Sequence, residues 1–355
     1  MRCNERKIQI VDNYEWQHSQ TKPLSFEDQE KSQIIRMCLS GQRRTDYDVT
    51  NTINVTNTQD VCREVERLFY EITHAGFYQP LERSFEIFEA LYEGKHPDYH
   101  RCDTDYHNKQ HVLDVTLATI RLIAGRERNV DSKNRFTAHQ IAVAVITALF
   151  HDVGYLRKTD ETHVKHGAEH TKIHVSRGAD FLGGHMKAIG MGKYAAISKQ
   201  LVHFTGYEQV IERIAVPSSK YRELGNIIGT ADVIAQMADR VYLEKCRNYL
   251  YPEFVKGGMC EQKDAAGRTQ ILYSSAEELL RKTPSFMINV FDQRLTDSFD
   301  ACFRYIEDYF HGINIYLINI QKNFVYLSNH LGIHNSDHSV QTIDDSVLRR
   351  NTLVS

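Results

Sequence analysis

The sequence lacks most of the features that would assign it quickly. No apolar run approaches the roughly 18 residues of a membrane span. Nothing like the apolar segment of a secretory signal follows Met1-Arg2-Cys3-Asn4-Glu5-Arg6-Lys7. Seven cysteines (Cys3, Cys38, Cys62, Cys102, Cys246, Cys260 and Cys302) form no CxxC pair, and their number is odd. This speaks against a disulfide framework or a zinc knuckle and for a reduced, cytoplasmic chain. An excess of one charge is missing too. With 43 Lys and Arg against 46 Asp and Glu, the net is −3 over 355 residues, so neither nucleic acid nor an acidic membrane surface is indicated as a partner. Only six prolines interrupt the chain, which favours long helices. No strand pattern of any length stands out, and the expected fold class is all-α.

What the chain does have is a core-forming share of apolar residues, 41%, and 18 histidines. The most informative stretch is Ala148-Leu149-Phe150-His151-Asp152-Val153-Gly154-Tyr155. It closes the uncharged run Ile141-Ala142-Val143-Ala144-Val145-Ile146, which has no period and reads as a helix buried on all sides. Thr137 with Gln140 gives that helix a capping-box start, and Gly154 is its expected stop. A carboxylate at the inner end of a buried helix is costly unless paired. A divalent cation would pair with both Asp152 and His151. The ordinary alternative is a buried His–Asp hydrogen bond.

Other stretches change that balance. In Tyr106-His107-Asn108-Lys109-Gln110-His111-Val112-Leu113-Asp114-Val115, His107 and His111 are expected on one helix face at i and i+4. Asp232 sits among apolar and small residues in Ile227–Ala235 and again needs a partner. Asp239, on roughly the same face, would support it from behind. His163, His166, His170 and His174 follow one another at spacings of three and four, one stripe of a helix. The first three suit a solvated face, whereas His174 precedes a return of the core pattern. His203 ends another apolar face.

The organisation predicted from these patterns has three parts. Residues 1–55 form a polar extension, with a helix through Leu24 to Leu39 and a linker over 41–56. Residues 56–333 form the main domain, opened by a second capping box at Thr56 and Gln59. Residues 334–355 form a polar tail. Phe299, Phe303, Ile306, Phe310, Ile313, Leu317, Ile320, Phe324 and Leu327 alternate in steps of four and three, a heptad seam. It reads either as a long core helix or as a homodimer interface over 299–327.

His107/His111, His151-Asp152 and Asp232 stand in the chain order of the HD superfamily of metal-dependent phosphohydrolases. The Tyr106-His107-Asn108-x-x-His111-x-x-Asp114-Val115 string closely resembles the signature of class I cyclic nucleotide phosphodiesterases. That resemblance covers roughly residues 60–330 and implies a multi-helix bundle around a metal site. It also implies that His111, His151, Asp152 and Asp232 bind one divalent ion, that Asp152 bridges to a second, and that His107 is the general acid. Two ions then activate water for attack on a phosphodiester, and His107 titrates in the right range to donate a proton.

The chain departs from the class I pattern after His-Asp, where Val153-Gly154-Tyr155 is closer to the His-Asp-x-Gly-Lys form of the HD-GYP branch, with Tyr155 in the lysine position. By similarity to that branch, His174 and His203 are expected to hold the second ion. No glutamine falls in register with the class I purine clamp; Asn289 and Gln293 are the nearest substitutes, with Tyr106 also expected to line the substrate site. The resemblance thus implies a cyclic-nucleotide phosphodiesterase using two divalent ions drawn from Zn, Mg, Mn or Fe. Alternatives are an HD phosphohydrolase acting on a monoester, a triphosphate or a cyclic dinucleotide, and a non-catalytic metal- or nucleotide-binding module.

Overall fold

The computed structural model describes residues 44–76, 78–263 and 267–331. The expected helix through Leu24 to Leu39 and the polar tail lie outside them. Helices α1 (Thr58–Thr73) and α2 (Gln79–Tyr92) come first, then α3 (Lys109–Asn129) and α4 (Ala138–Leu149). Next are α5 (His174–Ala188), α6 (Ala195–Leu201) and α7 (Ser219–Ala238). The short α8 (Tyr242–Lys245) and α9 (Tyr251–Lys256) follow. An exposed antiparallel hairpin of three-residue strands (Glu261–Lys263 with Thr269–Ile271) was not anticipated from the sequence. The chain ends with α10 (Ala276–Asn289), α11 (Tyr305–Tyr309) and α12 (Ile315–His330). The all-α expectation stands. Among the described residues no helix is long and apolar enough to cross a membrane.

The axis of the bundle is α3, which packs against α1, α4, α7 and α11 and is buried almost continuously from Val112 to Glu127. The uncharged run forms α4, with Ile141 through Leu149 all buried, as its lack of period implied. Its Thr137–Gln140 capping box is present in both directions. Arg126 fixes α3 to α7 by a bidentate pair with Glu223, both bonds at 2.8 Å.

Several local expectations are corrected. α1 is capped by Asn57, whose Oδ1 accepts from the backbone of Gln59, and not by Thr56. α4 ends at Leu149, five residues before Gly154. Gly154 serves packing: a Cβ there would stand 1.8 Å from the carbonyl oxygen of His174. The described part of the linker is a buried turn. Asp48 accepts from the backbones of Thr50, Thr52 and Ile53, and pairs at 2.8 Å with Arg121 of α3. A polar sequence is compatible with the interior here because its polar groups satisfy one another.

The heptad seam is not one helix. A π-helical stretch, Val290–Ser298, precedes it. Left-handed residues at Asp300–Ala301 and His311–Gly312 then break it into α11, α12 and a short 3₁₀ turn. Phe299, Phe303, Ile306, Phe310, Ile320, Phe324 and Leu327 are buried in the chain's own core. The histidine stripe is likewise not a helix. His163 is exposed and His166 caps the 3₁₀ turn Gly167–His170. Only His174 enters a helix.

Candidate metal centre

Four helices bring the candidate ligands together, three at their ends and one from its interior. His111 lies in the first turn of α3, where Asn108 caps the helix by accepting from the His111 backbone. His151 and Asp152 follow the end of α4. Asp232 comes from the interior of α7, and His174 is the first residue of α5. His111, His151 and Asp152 present donor atoms all within 4.8 Å of one another. His111 Nε2 is 3.3 Å from His151 Nε2, 3.4 Å from Asp152 Oδ2 and 3.3 Å from Asp232 Oδ1. His151 Nε2 is 3.2 Å from Asp152 Oδ2 and 3.7 Å from Asp232 Oδ1. Donor atoms sharing one ion at about 2.0–2.1 Å lie about 3.0–3.4 Å apart; four of these five separations fall in that range, and His151–Asp232 at 3.7 Å is wider.

The chemistry of the donors also fits a cation. His151 Nδ1 donates to the carbonyl of Ala148 at 2.8 Å, which leaves the Nε2 lone pair facing the cluster. Asp152 Oδ2 is buried and has no hydrogen-bond partner. Burial opposes ionisation of Asp152, yet the charges of His151, His107 and His111 hold it well below the usual carboxylate range. Burial also opposes a charged His151, but Asp152 and Asp232 raise it to about 9. The field is therefore strongly negative, and a cation in it would release the imidazole proton.

Asp152 turns its other oxygen toward His174, whose Nε2 is 3.7 Å from Oδ1. His174 Nδ1 donates to the carbonyl of Thr171 at 2.7 Å, so Nε2 again faces inward. Burial holds this imidazole below its ordinary value and hence neutral, the form that ligates. α5 has no local side-chain cap. The Glu208 carboxylate instead accepts from the backbones of Val175 and Ser176 and pins the helix start.

His107 precedes the Asn108 cap and is not on the helix with His111, as its i and i+4 spacing had suggested. Its ring still reaches the site, 5.9 Å from that of His111. Its Nδ1 is hydrogen-bonded to Glu253, a buried residue of α9. Burial works against a charged His107, but Glu253, with Asp152 and Asp232 behind it, raises it to about 9. The second Glu253 oxygen accepts from the Tyr106 backbone at 3.0 Å. The Tyr106 hydroxyl donates to Gln236 Oε1 at 3.0 Å, so Tyr106 does stand beside the cluster. A cavity of about 20 Å³ lies there, lined by His111, Asp114, Gln236 and Asp239 among others, room for about one water molecule. Asp239 caps α7 and pairs with Lys245 at 2.6 Å.

Three expected site residues are not brought to the cluster. His203 is buried in the 3₁₀ turn Val202–Phe204, and the charges that act on it are those of Glu208 and Lys199. Asn289 and Gln293 are both exposed. The buried face there carries Met287, Val290, Phe291, Arg294 and Leu295, which leaves these two amides on the other side. Sequence reading missed Glu253, which sits in an ordinary polar string, Tyr251-Pro252-Glu253-Phe254-Val255-Lys256. It also missed Gln236, although four residues after Asp232 on one helix is a findable spacing.

Fold and site together define an all-α protein with a buried histidine–aspartate cluster suited to a divalent cation. The profile of a family described as Npun_R2479-like matches residues 96–324, and the chain belongs to that family. No curated protein matches the chain. Its structure is similar to the crystal structure of the phosphodiesterase domain of the RhoPDE fusion protein from the choanoflagellate Salpingoeca rosetta. The TM-score is 0.49 at 13% identity, over 82% of this chain and 96% of that one.

Proposed function

We propose that the chain is a metal-dependent phosphohydrolase that cleaves a phosphodiester, with a 3′,5′-cyclic nucleotide as the first candidate substrate. The observation that carries this reading is the meeting of His111, His151 and Asp152 at ligand spacing, with Asp232 Oδ1 3.3 Å from His111 Nε2, beside a histidine hydrogen-bonded to Glu253. These four residues would hold one divalent ion. Asp152 Oδ1 and His174 Nε2 would hold a second. Ions bound there supply Lewis acidity toward a phosphoryl oxygen and toward a water nucleophile.

The remaining work falls to the chain. Glu253 accepts the Nδ1–H hydrogen bond of His107 and stabilises the charged ring, which can then deliver its Nε2 proton to the leaving oxygen. The hydrogen bond from Tyr106 to Gln236 ties the segment carrying His107 to the helix carrying Asp232. Mixed imidazole and carboxylate ligation suits Zn, Fe or Mn, and the shared aspartate suits Mg or Mn. Base recognition is not assigned to Asn289 or Gln293, because both are exposed on the far face of their segment.

Elemental analysis of the purified chain, followed by assay with cyclic AMP, cyclic GMP, cyclic di-GMP and bis(4-nitrophenyl) phosphate under Mn²⁺, Mg²⁺, Zn²⁺ or Fe²⁺, tests the proposal. Asp152→Ala is expected to lose both metal and turnover. His107→Ala is expected to keep the metal and lose about 10²- to 10⁴-fold in rate. Bound metal with no turnover of any substrate would make this a non-catalytic binding module.

A further inference from the structure

Tyr155 lies three residues after Asp152 and is 2% exposed, and the reading above gives it no task. Its ring meets two of the site's imidazoles. The His107 ring stacks on it with centroids 4.5 Å apart and planes inclined by 15°. The His174 ring contacts it at 4.4 Å and 22°. The two histidines are 6.3 Å from each other, so Tyr155 forms the third corner of a compact triangle of rings. Its hydroxyl shares a hydrogen bond with the side chain of Thr171, the residue whose carbonyl accepts the Nδ1–H hydrogen bond of His174. Gly154, just before it, lets the His174 backbone approach closer than any Cβ would allow.

We infer that Tyr155 is a positioning residue that holds the proton donor His107 and the second-ion ligand His174 at a fixed separation across the site. The inference rests on the two-ion phosphohydrolase reading and deepens it. An imidazole on a single χ1–χ2 hinge can swing through an arc of several ångströms. His174 is restrained by Thr171 and His107 by Glu253, each through one hydrogen bond at Nδ1. One hydrogen bond fixes a ring's position but leaves it free to rotate about the bond, and a flat neighbour removes that freedom. Because one phenol ring stacks on both imidazoles, ion binding at His174 and proton delivery from His107 share one restraint.

The experiment uses the full chain, with Tyr155→Met, which fills the volume without a ring, and Tyr155→Phe, which keeps the ring and loses the hydroxyl. Mn²⁺ binding is followed by equilibrium dialysis, and kcat is followed across aryl phosphodiesters of graded leaving-group pKa. Wild type and Tyr155→Phe are expected to bind two ions and to share one leaving-group slope. Tyr155→Met is expected to bind the first ion normally and the second about 10- to 100-fold more weakly. Its rates should fall most for the poorest leaving groups, the mark of a misplaced proton donor. A merely structural role would lower the melting temperature without steepening that slope. Two normal sites and an unchanged slope in Tyr155→Met overturn the inference. So does a Tyr155→Phe protein that loses the second ion, since the ring would then not be the restraint. If the wild type binds no ion, it is the phosphohydrolase reading that fails. If the wild type binds two and Tyr155→Met binds two equally well, only the role of Tyr155 falls.

Discussion

His107 and Glu253, 146 residues apart in sequence, share a buried hydrogen bond at the edge of the metal cluster. Glu253 is ionised below its ordinary range: burial opposes this, and the charge and hydrogen bond of His107 prevail. The pair sets the protonation of the imidazole proposed above as the acid.

Glu253→Gln should therefore move the alkaline limb of the kcat/KM profile. With Glu253 present the limb is expected above the ordinary imidazole value, because the Glu253 carboxylate favours the charged ring. Without the charge it should fall by about 1–3 pH units. The stability linkage has the same sign. The folded-state value lies above the unfolded one of 6.5, so His107 adds stability that is complete below about pH 6.5. That increment is lost as pH rises through about 9, and urea titrations at pH 6 and pH 10 would measure it. A limb that stays put in Glu253→Gln would remove His107 from the acid role.

Chelation should destabilise the wild type more than Asp152→Ala. An ion present at a hundred times its Kd adds about 2.7 kcal/mol to the unfolding free energy. Thermal melts with and without EDTA are expected to differ for the wild type and to coincide for Asp152→Ala. Coincident wild-type curves would show that the cluster holds no ion.

Gly154→Ala should destabilise the fold by about 1–3 kcal/mol, the usual result of forcing a methyl into a packed interior. The atom it would strike is the His174 carbonyl oxygen, 1.8 Å from the added Cβ, and backbone cannot swing aside as a side-chain tip can. Urea denaturation gives the magnitude. The same displacement should weaken binding of the second ion while sparing the first.

Asp48→Ala should cost about 3–5 kcal/mol, because it leaves the guanidinium of Arg121 buried without its counter-charge. Burial opposes ionisation of Asp48, but Arg121 and the Ile53 backbone hold its carboxyl below the ordinary value. Its contribution is thus present above about pH 4 and lost as pH falls through the lower folded value. Urea midpoints at pH 7 and pH 3 should differ in the wild type by more than in Asp48→Ala.

The sequence by itself determined the helices whose signals are local. The Thr137–Gln140 capping box and the uncharged run of α4 both follow from neighbours within a few residues. It also singled out His111, His151, Asp152 and Asp232, which lie close together in the fold, since an aspartate among apolar residues needs a partner wherever the chain takes it. Tertiary structure alone decided what depends on distant neighbours. Asp48 is buried because Arg121 meets it, and Glu253 joins the site because α9 docks against the segment holding His107. A heptad seam broke at Asp300–Ala301 and His311–Gly312, since spacing records which residues seek the core but not how the backbone bends to put them there. His203 obeyed the same apolar spacing as its neighbours and is buried where Glu208 and Lys199 act on it. Burial is written in periodicity, whereas the direction in which a polar atom points is fixed only when the helices pack.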